Sequence, residues 1–259
     1  MRLVIDIGNT EVTLGLMERA ELRGHWRLTT RSDRTPDEWG AAITAFLAGA
    51  DVPPGAIASA CIASVAPAVT HAVADAVRSA VTPHVGLVTP IAGLPVELDV
   101  DEPLAVGGDR IANVLAVRER HPGDVIVVDL GTATAFDCVT GDGRFIGGAI
   151  MPGLRTSADQ LVQRAAKLTA TELVAPEKAI GRTTAEHIRA GVLFGTADAI
   201  DGMIRRMRGE WPTATLPRVV ATGGLSRLIA PLSATIDVVD LDLTLHGLRI
   251  AADALGLPE

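Results

Sequence analysis

One short pattern occurs twice in this chain and restricts its fold more than any bulk property. An apolar run leads to an aspartate, one apolar residue, a glycine and then a hydroxyl- or amide-bearing residue. Leu3-Val4-Ile5-Asp6-Ile7-Gly8-Asn9-Thr10 is the first copy and Val125-Ile126-Val127-Val128-Asp129-Leu130-Gly131-Thr132 the second. Another apolar stretch follows each, Val12 to Leu16 and Ala135 to Val139. Each copy therefore predicts a buried strand, a tight turn and a returning strand, with a carboxylate at the bend. An ionised Asp at the end of a buried strand is costly unless it is paired or hydrated. Two such hairpins predict a duplicated α/β nucleotide-binding fold whose halves face each other across a cleft, holding a polyphosphate and its cations.

A length of 259 residues allows one large or two small domains. The repeat divides the chain near His121-Pro122-Gly123, giving units 1–121 and 122–259. A net charge of −8 without any basic tract disfavours nonspecific nucleic-acid binding. No run reaches the roughly 18 apolar residues of a membrane span. Asp6 and Asn9 interrupt the first apolar stretch, which does not read as a signal peptide. Cys61 and Cys138 stand isolated in apolar settings, as reduced core residues of a cytoplasmic protein do.

Helix signals fall between the strands. Thr35-Pro36-Asp37-Glu38 is a capping box with Pro at the first helical position, ahead of Trp39, Ile43, Phe46 and Leu47 on one face. Ile57 to Val65 reads as a strand, and Pro67 opens a helix to about Ala80. Further helices are expected after Gly107-Gly108, from Gly153 to about Lys167, from Thr184 onward, and over Leu243 to Leu255. Strands near Arg144 to Ile150 and Val219 to Thr222 complete the second half.

Each chemical motif has a plain structural alternative. The turn Asp6-Ile7-Gly8-Asn9-Thr10 can offer backbone N–H groups to an anion while Asp6 holds Mg²⁺; alone, it is also an ordinary hairpin turn. Thr132 and Thr134 alternate with Ala133 and Ala135, which predicts both hydroxyls on one face of the return strand. Gly107-Gly108-Asp109-Arg110 sets a carboxylate and a guanidinium at a helix start. There Asp109 is expected to stay ionised and to orient a hydroxyl, or to serve simply as an N-cap. Gly147-Gly148, Pro152-Gly153 and Gly223-Gly224 allow close backbone approach. No Walker loop, zinc spacing, EF-hand or nucleophile elbow is present.

Taken in order, these motifs resemble the type III pantothenate kinases of the acetate kinase–Hsp70–actin superfamily. The resemblance runs through His25-Trp26-Arg27, Arg34 to Glu38, Gly107 to Arg110, Asp129 to Thr134 and Gly147 to Gly153. It continues in Arg164 to Leu168, Ile180-Gly181-Arg182, Ala221 to Leu225 and Asp242 to Leu248. It implies two ribonuclease-H-like domains and ATP-dependent phosphorylation of the primary hydroxyl of pantothenate. It also implies that Asp6, Ile7, Gly8, Asn9, Thr10, Glu11, Val12, Thr13 and Thr132 hold ATP, with Asp6 near Mg²⁺ through water. Asp109 would be the catalytic acceptor. Val100, Gly107, Gly108, Asp109, Arg110 and Thr184 would line the pantothenate pocket, and Asp129 would hold potassium or ammonium. A homodimer completing the pocket across its interface is implied as well.

Several positions depart from the family pattern. Val100 stands where a Tyr is common, and Val offers no hydrogen bond. Leu130 replaces a common Phe, Ala135 a Thr and Thr183 an Asn, and Glu11 places a carboxylate beside the phosphate turn. Two alternatives therefore stay open: a non-catalytic regulatory relative, and a kinase of another small alcohol. The retained trio Asp6, Asp109 and Asp129 points to an active kinase.

Overall fold

The computed structural model describes residues 1–165 and 167–259; Ala166, inside the Arg164–Leu168 motif, lies outside the described residues. Strand β1 (Arg2–Ile7) pairs antiparallel with β2 (Glu11–Glu18), and β2 with β3 (Glu21–Thr29). On its other side β1 runs parallel to β4 (Ser59–Ser64), which pairs with β5 (Val85–Leu87), giving the order β3-β2-β1-β4-β5. Leu3, Val4, Ile5 and Ile7 are all buried because β1 is central and covered on both faces. Strand β3 alternates exposed Glu21, Arg23, His25, Arg27 and Thr29 with half-buried residues, and these polar side chains guard the sheet edge.

Helices α1 (Pro36–Gly49) and α2 (Pro67–Ala80) cover one face of this sheet. The Thr35–Glu38 capping box forms in both directions and starts α1. Trp39, Ile43 and Leu47 point into the core, while Phe46 stacks on Trp26 of β3 with ring centroids 5.8 Å apart. A short strand β6 (Glu97–Leu98) and a 3₁₀ turn at Pro103–Ala105 lead to α3 (Gly108–Arg120). Cys61 and Cys138 are buried and not disulfide-bonded, and burial pushes the Cys61 thiol up to about 12.

The second unit repeats the winding. Strands β7 (Val125–Leu130), β8 (Ala133–Val139) and β9 (Arg144–Pro152) are antiparallel neighbours, and β10 (Arg218–Thr222) lies parallel to β7. With β11 (Val238–Val239) the order is β9-β8-β7-β10-β11, the same as in the first unit. Helices α4 (Leu154–Arg164) and α5 (Thr184–Gly209) and the short α6 (Ser226–Ile229) pack on one face. Leu193, Ala197, Ile200 and Ile204 of α5 meet Ile126, Val128, Leu130 and Phe136 there.

The sequence places everything after residue 121 in the second unit, but the last segment returns to the first. The compact units are Met1–His121 with Leu243–Glu259, and Pro122–Asp242. Helix α7 (Leu243–Ala254) packs on α3, β1 and β4. Gly247 makes this possible: any Cβ there would overlap the Ala112 backbone of α3. The buried Arg2 guanidinium then holds the tail, donating to Leu257 O at 2.8 Å and Pro258 O at 3.2 Å and pairing with Asp253. No helix among the described residues is long and apolar enough to cross a membrane.

Candidate active site

The first hairpin has Asp6 half-buried near the end of β1, opposite Thr13 of β2. Ile7 and Val12 are buried beneath the turn, and Asn9, Thr10 and Glu11 are exposed around it. Gly8 N–H donates to Glu11 O at 2.9 Å and closes the bend. The Glu11 carboxylate does not bend over the turn. It leans along the sheet to within 3.9 Å of Arg27 Nε on β3, and both side chains are more than half exposed.

The start of α3 reaches the same strand end. Asp6 is in register with Ala63 of β4, and a Cβ on Gly108 would lie 3.3 Å from Ala63 Cβ and 2.6 Å from Val88 O. Only a glycine lets the helix terminus seat this closely, so the carboxyl ends of β1 and β4 meet the N-terminus of α3. Ligands of open α/β sheets bind outside such strand ends. Gly107, not Asp109, is the N-cap, and its missing side chain leaves room for the Asp109 carboxylate beside it. Asp109 Oδ1 accepts from the Arg110 N–H at 2.8 Å.

Asp109 is half-buried at this helix start. Burial raises its carboxyl above the usual carboxylate range, and the Arg110 N–H and guanidinium offset only part of the rise. Asp109 is thereby a better proton acceptor than an exposed aspartate. Val100 is half-buried in the loop after β6, where its side chain offers no hydrogen bond.

In the second unit Asp129 is half-buried near the end of β7, in register with Thr222 of β10. Gly223 follows with φ +86°, and a Cβ there would lie 2.6 Å from Asp129 Oδ1. The Gly131-Thr132 turn is backed by Gly153, where a Cβ would collide with both turn carbonyls, and by Thr156, whose hydroxyl donates to Thr132 O at 2.7 Å. Thr132 and Thr134 do not share a face. The strand begins only at Ala133, so exposed Thr132 belongs to the turn and escapes the alternation. Thr134 is fully buried on the side of Phe136 and Cys138, its hydroxyl without a hydrogen-bond partner among the described residues. Thr184 is exposed as the first residue of α5 and belongs to the second unit, whereas Gly107 to Arg110 belong to the first. The cap before it, Thr183 with Glu186, is a second capping box that the sequence reading missed although its spacing repeats that of Thr35 and Glu38.

Asp6 and Asp129 are hard oxygen donors, the chemistry that suits Mg²⁺ and alkali cations. No cluster of three or more His, Cys, Asp and Glu side chains forms a metal site among the described residues. A cation here would share its coordination with phosphate and water, as Mg²⁺ does when one or two carboxylates hold it beside a nucleotide.

Two units of identical winding, each with an aspartate hairpin at its strand ends, define a duplicated α/β fold. An activator of 2-hydroxyisocaproyl-CoA dehydratase from Clostridium difficile, solved with bound ADPNP, has this fold (TM-score 0.57, 12% identity, 98% of this chain and 94% of that one). Residues 2–206 match the model of the type III pantothenate kinase family, and the chain belongs to that family. Similar relatives include type III pantothenate kinases of Thermomicrobium roseum, 43% identical over 98% of both chains, and of Geotalea uraniireducens, 42% identical over 96% of this chain and 97% of that one.

Proposed function

We propose that this chain transfers the γ-phosphoryl group of ATP to the primary hydroxyl of pantothenate, the first step of coenzyme A biosynthesis. Family membership supports the substrate pair. The observation that carries the chemistry is Asp109, a carboxylate with a raised pKa at the helix terminus beside the Asp6 strand end. The pantothenate hydroxyl oxygen bonds to the γ-phosphorus, the bond to the β–γ bridging oxygen breaks, and the hydroxyl proton passes to the Asp109 carboxylate. No covalent enzyme intermediate is needed, because positioning and charge neutralisation dominate phosphoryl transfer.

In this reading Asp6 to Thr13 hold ATP, as does Thr132, and Asp6 meets Mg²⁺ through water. Mg²⁺ with a monovalent cation, potassium or ammonium at Asp129, supplies neutralisation of phosphate charge. Gly107, Gly108 and Arg110 shape the pantothenate site, with Val100 and Thr184 lining it. The working form is a cytoplasmic homodimer. An apolar groove of about 390 Å³ supports the dimer, lined by Met151, Leu161, Ile188 and Val192 with the bare helix positions Gly191 and Gly195.

ADP release from purified protein with ATP, Mg²⁺ and pantothenate, with and without potassium or ammonium, tests the reading beside Asp109→Asn. Turnover that requires pantothenate and the monovalent ion, and that collapses in the variant, is expected. A folded protein that turns over nothing across both ions would overturn it in favour of a non-catalytic relative; turnover with another alcohol alone would reassign the substrate.

A further inference from the structure

We propose that Thr30 is a positioning residue for nucleotide binding, with Thr156 its counterpart in the second unit. Thr30 stands immediately after β3, outside the first hairpin, and grips the turn twice. Its hydroxyl donates to Gly8 O at 2.7 Å and its N–H donates to Thr10 O at 2.9 Å. In a trans peptide the C=O and N–H point in opposite directions across one rigid plane. Tying Gly8 O toward Thr30 therefore aims the Asn9 N–H the other way, and tying Thr10 O does the same for the Glu11 N–H. A turn that receives phosphate must present donors and turn its carbonyls away, since carbonyl oxygens facing an anion repel it. Thr30 removes two such carbonyls from the face of the turn.

The second unit carries a related tie, a single bond made to the residue after its glycine. Thr156 lies in the first turn of α4, immediately after β9, the third strand of its sheet, as Thr30 follows the third strand of the first. Its hydroxyl donates to Thr132 O at 2.7 Å, which aims the Ala133 N–H away from Thr156. Gly131 N–H donates to Ala133 O at 3.0 Å and closes a turn one residue shorter than the first, where Gly8 N–H reaches Glu11 O. In both units a threonine from just beyond the third strand ties back a carbonyl of the aspartate hairpin.

The inference rests on the reading of Asp6 to Thr13 and Thr132 as ATP-binding. ADP affinity by calorimetry and steady-state kinetics are measured for the wild type, Thr30→Val and Thr30→Ser, each with a thermal melt. Thr30→Val keeps the shape and the backbone bond but leaves Gly8 O without its hydroxyl partner. It is expected to weaken ADP binding and raise the KM for ATP about tenfold, with the pantothenate KM within about twofold. Thr30→Ser should return both values to within about threefold of wild type, and Thr156→Val should repeat the pattern with a smaller shift. A wild type that binds no nucleotide overturns the ATP reading and this inference together. A wild type that binds ADP beside a folded Thr30→Val of equal affinity overturns the inference alone. If Thr30→Val does not fold, Thr30→Ala replaces it; failure of both to fold makes Thr30 a fold residue and also overturns the proposal.

Discussion

Gly223 lies against the carboxylate of Asp129, so close that a Cβ would stand 2.6 Å from Oδ1 and 2.7 Å from Leu130 O. The residue's φ of +86° is also one that side chains other than glycine's resist. Gly223→Ala must therefore shift the end of β10 or displace the carboxylate. We expect a loss of roughly 1–3 kcal/mol of stability from strain and crowding. The potassium or ammonium concentration for half-maximal activity should rise at least about fivefold, read from activity against cation concentration. Unchanged cation dependence in a variant that melts lower would separate Asp129 from the cation.

Asp109→Asn should lower kcat by roughly 10²- to 10⁴-fold, the usual range for a lost general base. It should also melt higher at neutral pH. Burial raises the Asp109 carboxyl pKa in the folded protein, so the native state binds that proton more tightly than the unfolded chain does. Stability then falls as pH rises from the unfolded value near ~3.9 through the higher folded value, and the loss persists above it. Asparagine carries no such charge. Melts from pH 4 to 8 should show the variant's advantage growing with pH; a lower melting temperature at pH 8 would mean that the Arg110 contacts outweigh burial.

Glu11→Gln tests whether a carboxylate beside the phosphate turn impairs nucleotide binding. The side chain is exposed and leans toward Arg27 at 3.9 Å. Screened surface charges of this kind contribute little. The KM for ATP should stay within about twofold of wild type at physiological salt. A fall of tenfold would show that the carboxylate turns toward the phosphates when ATP binds.

Much of this architecture is written locally. The apolar run before Asp6 and before Asp129, with Gly two residues on, specifies each hairpin from within about ten residues, and Thr35 to Glu38 specifies its helix start in the same way. Strand β3 was not legible because its exposed positions carry Glu21, Arg23 and Arg27, a pattern that reads as loop until β2 supplies the pairing. The return of α7 depends on Gly247 meeting Ala112, residues far apart in the chain, so no local pattern announces it. The same holds at the site. The order Gly107 to Arg110 was plain, but the raised Asp109 carboxyl follows from what buries it, and the Thr30 bonds exist only once β3 is in place.

Thr134→Val should stabilise the protein by about 1 kcal/mol. Thr134 is fully buried and its hydroxyl lacks a hydrogen-bond partner among the described residues, while β8 suits a β-branched residue at that position. Valine keeps the shape and removes the desolvated hydroxyl. Chemical denaturation should give a higher midpoint with an unchanged slope. A lower midpoint would reveal a buried water serving the hydroxyl.

Asp201 ties α5 to the Ser233–Thr235 segment and gives the second unit an acid-sensitive joint. It is 5% exposed in α5 and accepts from Ser233 Oγ at 2.5 Å, Thr235 Oγ1 at 2.6 Å, Ala234 N at 2.8 Å and Thr235 N at 3.2 Å. Burial alone would raise its carboxyl, but these donors outweigh burial and hold it below the usual range. The stabilisation is therefore complete above the unfolded value of ~3.9 and is lost as pH falls through the lower folded value. Asp201→Asn should cost about 2 kcal/mol at pH 7, because the amide replaces one accepting oxygen with an NH2 that faces donors. Between pH 7 and pH 3 the variant should lose less stability than the wild type, so their melting temperatures converge in acid. Parallel pH profiles would place the acid sensitivity in another carboxylate, with Asp124, held by Gly141 N at 2.6 Å, Thr213 Oγ1 at 2.6 Å and Trp211 Nε1 at 2.9 Å, the next residue to replace.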